Sequence, residues 1–365
     1  MTTEFSFIDD LGPEKIIEIY DPATGLKAIL VVDNVAAGPA IGGVRMAVDV
    51  TAEECFRLAR AMTLKNAMAG LAHGGGKSVI AADPGMPGAE RSKLIKAFAR
   101  AVADVRDYIP GPDMGTDEHA MAEVNHLIGR AVGLPREVGG IPLDEIGATG
   151  HGLAVALEAA APFCDLNLGE ARVVVQGFGS VGQHAIRFLS ERGARLVGVS
   201  DSGGARVCPA GFDLAALLDA KSQGHSVASF DQGDAIDPED LIAVECEVWI
   251  PAARPDVIRE DNASRMQTKV VAQGANIPAT PAAEELLAGN DVLVIPDFVA
   301  NAGGVICGAV EYHGGSQSQA METIADRIRG NVTEVLTRSA ADKELPRAAA
   351  LRIARERVLK AMSFI

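Results

Sequence analysis

The stretch KNAMAGLAHGGGKS holds two lysines, Lys65 and Lys77, twelve residues apart and joined by small residues and three consecutive glycines. Ordering three glycines costs conformational entropy, so their presence points to a close approach of other atoms to this backbone. A third polar residue, Asp113 in PGPDMGTDEHAM, falls in a stretch rich in proline and glycine between helical patterns. Two ammonium groups and one carboxylate are what oxidation of an amino acid would use. One ammonium pairs the α-carboxylate. The second, its pKa lowered by the first and by burial, acts on water as the neutral amine, and the carboxylate moves the amine proton.

A second constellation lies in RVVVQGFGSVGQHAIRFLSERGARLVGVSD. Gly177, Gly179 and Gly182 make a G-x-G-x-x-G motif, with Ser180 and Val181 between them. The first glycine permits the tight turn, the second lets a pyrophosphate approach the backbone, and the third lets helix pack on strand. The motif follows an apolar strand and opens a helix, and Asp201 comes nineteen residues after Gly182 at the end of the next apolar run. That order is the dinucleotide-binding one. Asp201 can accept from a ribose diol, and its charge would repel a 2′-phosphate, which favours NAD over NADP. The residues after it, SGGA, offer no immediate cation; Arg206 is the nearest.

The elements that must carry these residues read as α/β. KAILVVD, Lys27 to Asp33, is a buried strand, and GPAIGGVR, Gly38 to Arg45, reads as a turn-rich connection. A helix follows, with Thr51 and Glu54 as a capping box and Gly70 as its stop. Lys65 is then near a helix end and Lys77 opens the short strand KSVIAADP, so helix, glycine turn and strand fold both ammonium groups toward one cleft. Beyond the glycine motif, strands are expected at Val248 to Pro251, Lys269 to Ala272 and Asp291 to Pro296, and from Gln317 onward the pattern is helical.

Composition narrows the function classes. The 365 residues suffice for two domains, and 48% hydrophobic with 22% charged residues is ordinary for a soluble protein. A net charge of −16 lacks the basic footprint of nucleic-acid binding. No run of about eighteen strongly apolar residues predicts a membrane span. The start, MTTEFSFIDDLGPEK, is acidic where a secretory signal is basic, and reads as a mature start. Five scattered cysteines, never in C-x-x-C, predict reduced thiols in a cytoplasm, and the seven histidines show no ligand spacing, so the site is expected to be metal-free.

Taken together, GPAIGGVRM, MTLKNAMAGLAHGGGKSVIAADP, PDMGT, GFGSVG and NAGGV, in this order over about Lys27 to Val310, resemble the Glu/Leu/Phe/Val amino-acid dehydrogenases, and most closely the leucine, valine and phenylalanine branch. The resemblance implies that Lys65 holds the substrate carboxylate, Lys77 is the catalytic lysine and Asp113 the proton-transfer acid, with Gly43 near the substrate. It implies that Thr149 and Asn301 lie near the nicotinamide, with Asn276 near both nicotinamide and substrate. His73, His119 and His151 are read as structural. The implied reaction is reversible oxidative deamination: Asp113 takes a proton from the substrate ammonium, hydride leaves Cα for the nicotinamide, and Lys77 helps water attack the imine.

The implied fold is a substrate domain, residues 1–145 completed by 331–365, and a Rossmann NAD-binding domain, residues 146–330, with a cleft that closes to exclude water. A homo-oligomer is implied too, although the chain ends sixty-four residues after Asn301, which counts against the octamer of leucine-type members. Ile41 and Gly308 occupy the places where glutamate-type members carry a lysine and a serine, so an apolar substrate is expected. Two rivals stay open: a glutamate dehydrogenase, favoured by PGPDMGT, VSDSGGA and ATGHG, and a catalytically idle NAD-binding sensor.

Overall fold

The computed structural model describes residues 7–365. The chain divides into two compact units. One comprises the chain up to Leu143 together with Val305–Ala320 and Leu351–Ile365; the other comprises Asp144–Gly304 and Met321–Ala350. The chain therefore returns to the first unit in two separate pieces, at 305 and at 351, where a single return at 331 was expected.

The first unit begins with strands β1 (Lys15–Asp21), β2 (Leu26–Asn34) and β3 (Ala40–Ala47). Helix α1 (Ala52–Met68), strand β4 (Gly75–Ala81), helix α2 (Gly88–Ala101), strand β5 (Tyr108–Pro112) and helix α3 (Glu118–Ile128) follow. The sheet order is β1-β2-β4-β3-β5. Strand β4 runs antiparallel to β2 and parallel to β3, which in turn is parallel to β5.

Two of these strands depart from the sequence reading. GPAIGGVR is not a connection: its residues from Ala40 onward form β3, with Ile41 beside Gly75 and Gly43 beside Gly111. Its glycines answer to crowding rather than to a turn, because a Cβ on Gly42 would lie 1.7 Å from the Gly76 carbonyl oxygen. The stretch YIPGP, unrecognised for its two prolines, is β5; it is an edge strand, where a missing N–H is tolerated.

The glycine triplet has a similar cause. A Cβ on Gly74 would meet the Asn34 carbonyl oxygen at 1.7 Å, and one on Gly75 the Thr63 backbone nitrogen of α1 at 2.0 Å. Gly75 and Gly76 lie inside β4, not in a turn before it. The atoms that crowd this backbone are the protein's own. Helix α1 starts as expected, with the Thr51 side chain accepting from the Glu54 N–H at 3.1 Å, but the Glu54 carboxylate turns away to Arg45 instead of completing the box. Gly70, at φ +66°, follows its end.

The second unit starts with helix α4 (Ala148–Ala160), strand β6 (Arg172–Gln176), helix α5 (Ser180–Ser190), strand β7 (Arg195–Asp201), strand β8 (Gly204–Val207) and helix α6 (Leu214–Ser222). Strands β9 (Asp234–Ile236), β10 (Val248–Pro251) and β11 (Val270–Ala272), helix α7 (Pro281–Gly289), strand β12 (Leu293–Ile295) and helix α8 (Asp297–Ala300) complete its main run. Helices α9 (Gly303–Tyr312), α10 (Gln317–Asp342) and α11 (Pro346–Met362) contribute to both units. The sheet order is β12-β11-β10-β6-β7-β8-β9, parallel from β12 to β7. Val173, Val174 and Val175 of its central strand are fully buried, as a strand covered on both faces requires.

Candidate active site

Strand β4 delivers Lys77 immediately after the glycines. Its side chain is almost wholly buried, and its Nζ touches the Asp113 carboxylate. Asp113 directly follows β5 and is held firmly: its N–H donates to Thr116 Oγ1 at 3.0 Å, that hydroxyl donates to the Val44 carbonyl at 2.7 Å, and Asp113 Oδ1 accepts from the Met114 N–H at 2.5 Å. Parallel pairing of β3 with β4 and β5 brings the two residues together. Gly43 lies in the narrow space beside them, where a Cβ would come within 2.8 Å of Asp113 and 3.1 Å of Lys77 Nζ.

Burial pushes the Lys77 ammonium down to about 7, and the positive charges of Arg45 and, more weakly, Lys65 act in the same direction. Both expected causes, burial and the Lys65 charge, act as foreseen, and Arg45 is added to them. Burial leads, and Arg45 outweighs Lys65. Lys65, in the last turn of α1 and half-buried, is nonetheless near enough for its charge to be felt at Lys77. The Asp113 carboxylate favours the ammonium and opposes this downward pull.

Arg45 was not singled out from the sequence. Its Nη1 pairs Glu54 Oε1 at 2.5 Å and its Nη2 approaches Asp113 Oδ1 at 3.4 Å, so one guanidinium ties α1 to the carboxylate. Its position at the end of AIGGVR was the available signal. Ile41 is buried in an apolar cluster with Ile109, Val132 and Ala309, and half-buried Leu71 packs against it. A Cβ on Gly308 would meet Val132 at 3.5 Å, so Ile41 and Gly308 both face Val132, a residue whose loop position gave no sequence signal.

In the second unit the three motif glycines have three separate reasons. Gly177 adopts φ +95°, and a Cβ there would come within 2.7 Å of the Ala253 backbone. Gly182 packs against the Gly177 carbonyl oxygen, 2.2 Å from where a Cβ would be. Gly179 has no atom within 4 Å of its would-be Cβ, and as N-cap of α5 it offers no side-chain cap. Open space at an uncapped helix N-terminus fits a pyrophosphate. Ser180 and Val181 open the helix; the Ser180 hydroxyl reaches the Asp144 carbonyl at 3.4 Å, and Val181 lies against Gly274.

Asn301 and Asn276 converge as well, together with the backbone just before Asn276. Asn301 Nδ2 donates to Asn276 Oδ1 at 3.0 Å and approaches the Gly274 and Ala275 carbonyls. A Cβ on Gly303 would lie 2.1 Å from the Ala148 carbonyl oxygen and one on Gly304 3.4 Å from Thr149 Oγ1, so the starts of α4 and α9 pack closely. Asp201 carries more partners than expected. It accepts from Lys221 Nζ at 2.6 Å, Ser226 Oγ at 2.8 Å, and the Val227 and Gly203 N–H groups at 2.8 and 2.9 Å, which together hold its carboxyl down at about 2. The cation beside Asp201 is therefore Lys221 of α6. Arg206 is spent on the Gln232, Ala228 and Gly233 carbonyls.

His73 is buried with Nδ1 on the Pro39 carbonyl oxygen and Nε2 on His313, His119 is exposed, and His151 packs edge-on against Phe188. All five cysteines are free thiols. Of the cysteines, buried Cys55 reaches the site's backbone, its thiol donating to the Lys77 carbonyl at 3.3 Å. Among the described residues no helix is long and apolar enough to cross a membrane, and no group of three or more His, Cys, Asp or Glu side chains is placed to hold a metal.

The chain is similar to known proteins over most of its length. The family profile described as Glutamate/Leucine/Phenylalanine/Valine dehydrogenase matches residues 139–364, and that of the Glu/Leu/Phe/Val dehydrogenase dimerisation domain matches residues 13–128. The chain is 35% identical over 382 residues to the NADP-specific glutamate dehydrogenase of Saccharolobus shibatae, covering 96% of this chain and 89% of that protein. It is 37% identical over 288 residues to the NAD-specific glutamate dehydrogenase A of Halobacterium salinarum, covering 75% and 66%. Among solved structures, the hetero-hexameric glutamate dehydrogenase of Thermus thermophilus in its leucine-bound form superposes with a TM-score of 0.85 at 31% identity, covering 96% of this chain and 89% of that one.

Proposed function

The chain belongs to the Glu/Leu/Phe/Val dehydrogenase family, as an oxidoreductase acting on CH–NH2, and from that premise we propose that Lys77 and Asp113 carry reversible oxidative deamination of an L-amino acid. The observation that carries the assignment is the contact of a buried, pKa-depressed lysine with a fixed carboxylate at Gly43.

Lys65 pairs the substrate α-carboxylate. Asp113 accepts a proton from the substrate ammonium, and Lys77, whose ammonium is destabilised by burial and Arg45, releases its proton to solvent and stands as the neutral amine. The neutral amine then takes a proton from water as the oxygen adds to the imine carbon, and returns it to the departing nitrogen. Collapse of the carbinolamine gives the 2-oxo acid and ammonia. A nicotinamide dinucleotide, when bound at Gly177, Gly179 and Gly182 with Thr149, Asn276 and Asn301 around its reactive end, supplies the hydride acceptor.

Two readings of the amino acid have support. The named relatives, at 35 to 37% identity, are glutamate dehydrogenases, and they favour glutamate over the expected leucine, valine and phenylalanine branch. Against this, Ile41 stands where glutamate-type members carry a lysine and clusters with Ile109, Val132 and Ala309, which supports an apolar side chain. A buried carboxylate without a partner costs several kcal/mol or more, of order ~2 to 7 for an uncompensated polar group. A panel of glutamate, leucine, valine, phenylalanine and tryptophan, each with NAD and with NADP, decides by kcat/KM: glutamate as best substrate removes the apolar reading, and a best apolar substrate removes glutamate. No turnover of any amino acid would sink the dehydrogenase assignment. NAD is the first coenzyme reading through Asp201, and oligomer formation is supported by the matched dimerisation domain and the hetero-hexameric neighbour.

A further inference from the structure

Glu311 is a buried carboxylate that the reaction leaves unused. It lies on α9 one turn beyond Gly308, on the same face, and has no cationic partner among the described residues. Its Oε1 accepts the Leu134 N–H at 3.2 Å and its Oε2 the Ile141 N–H at 2.6 Å. Burial raises its pKa while these backbone donors, with that of Gly133, lower it, so it is held by peptide dipoles alone.

The loop it holds is compact. Gly140 N–H donates to the Pro135 carbonyl, and Gly140 is packed so tightly on Leu134 that a Cβ would lie 1.9 Å from its oxygen. At its start Val132 N–H donates to the Pro110 carbonyl at 2.8 Å, and Val132 touches the sites of Gly111 and Gly308 and clusters with Ile41. We propose that Glu311 is a positioning residue for substrate selection, its carboxylate fixing the 133–141 loop so that Val132 stands as a rigid wall opposite Ile41 and Gly308.

An acceptor-only group is required here because both oxygens face N–H donors; glutamine would set its NH2 against one of them at nearly unchanged volume. The inference rests on the dehydrogenase reading and refines its side-chain pocket. It is tested with Glu311→Gln by measuring kcat/KM for alanine, valine, leucine, phenylalanine and glutamate, together with the KM for the coenzyme. A loosened wall lowers discrimination between the best substrate and the one nearest it in size by about ten-fold, the scale of one methylene in a pocket, with the coenzyme KM unchanged. Val132→Ala shifts the same ratio in the same direction, and the double variant adds little, because the two changes remove one wall. Should Glu311→Gln not fold, Glu311→Asp, which retracts the charge by one methylene, is read in the same way. Equal slowing of every substrate with ratios retained, or full additivity with Val132→Ala, overturns the proposal. Wild-type protein inert toward every amino acid overturns the dehydrogenase reading instead.

Discussion

Lys77 and Asp113 were legible because their residue types demand an explanation, whereas the group that tunes them was not. Arg45 looks in sequence like a solvated end to an apolar run, and only the parallel register of β3 with β5 aims it at Asp113. Its effect on pH dependence has a definite sign. On the proposed mechanism Lys77 works as the neutral amine, so kcat/KM for oxidative deamination, which reports the free enzyme, rises as pH passes through about 7. Removing the positive charge in Arg45→Met favours the ammonium, raises the Lys77 pKa and moves that rising limb to higher pH. A pH profile of kcat/KM checks this; a limb that stays put or moves lower contradicts it. Asp201 likewise was read correctly as the acid ending β7, but its partner comes from α6, twenty residues on, beyond the reach of local pattern. Asp201→Ser removes the carboxylate and frees Lys221, so the NADP-to-NAD ratio of kcat/KM rises. In Asp201→Ser with Lys221→Met the freed cation is gone, and the ratio falls back toward wild type.

Strands β6, β7 and β10 and helices α1 and α5 follow from apolar runs, the Thr51 cap and the glycine motif; β10 lies at Val248–Pro251 as expected, and α1 lies between Thr51 and Gly70. Strands β3 and β5 were hidden because glycine and proline signal turns locally, while here they serve close packing and an edge. The cost of violating that packing is measurable. Gly75→Ala drives a Cβ into the backbone of α1, 2.0 Å from Thr63 nitrogen, where no flexible side chain can yield. Urea denaturation followed by circular dichroism is expected to show a loss of about 1 to 3 kcal/mol or more, the usual cost of overpacking. Gly330, inside α10 and exposed with nothing within 4 Å of its would-be Cβ, is the contrast. Gly330→Ala is expected to gain roughly 0.5 to 1 kcal/mol from helix propensity.

At the scale of the chain, two units of α/β type were legible from the sequence, since the glycine motif announces a second beginning near residue 150. The path of the C-terminal part was not. Val305–Ala320 belongs to the first unit by its contacts, and nothing in a helical pattern records which sheet it packs against. That return is what brings Gly308 and Glu311 beside Val132, so the proposed side-chain pocket would owe its shape to segments 170 residues apart in sequence. The central claim is that this assembly deaminates amino acids through Lys77. Its most direct test is the initial rate of 2-oxo acid formation by Lys77→Ala against wild type, each with the best amino acid of the panel at saturation. Loss of a positioned acid–base group predicts a fall in kcat of about 10²- to 10⁴-fold. Turnover close to wild type in Lys77→Ala would contradict the account.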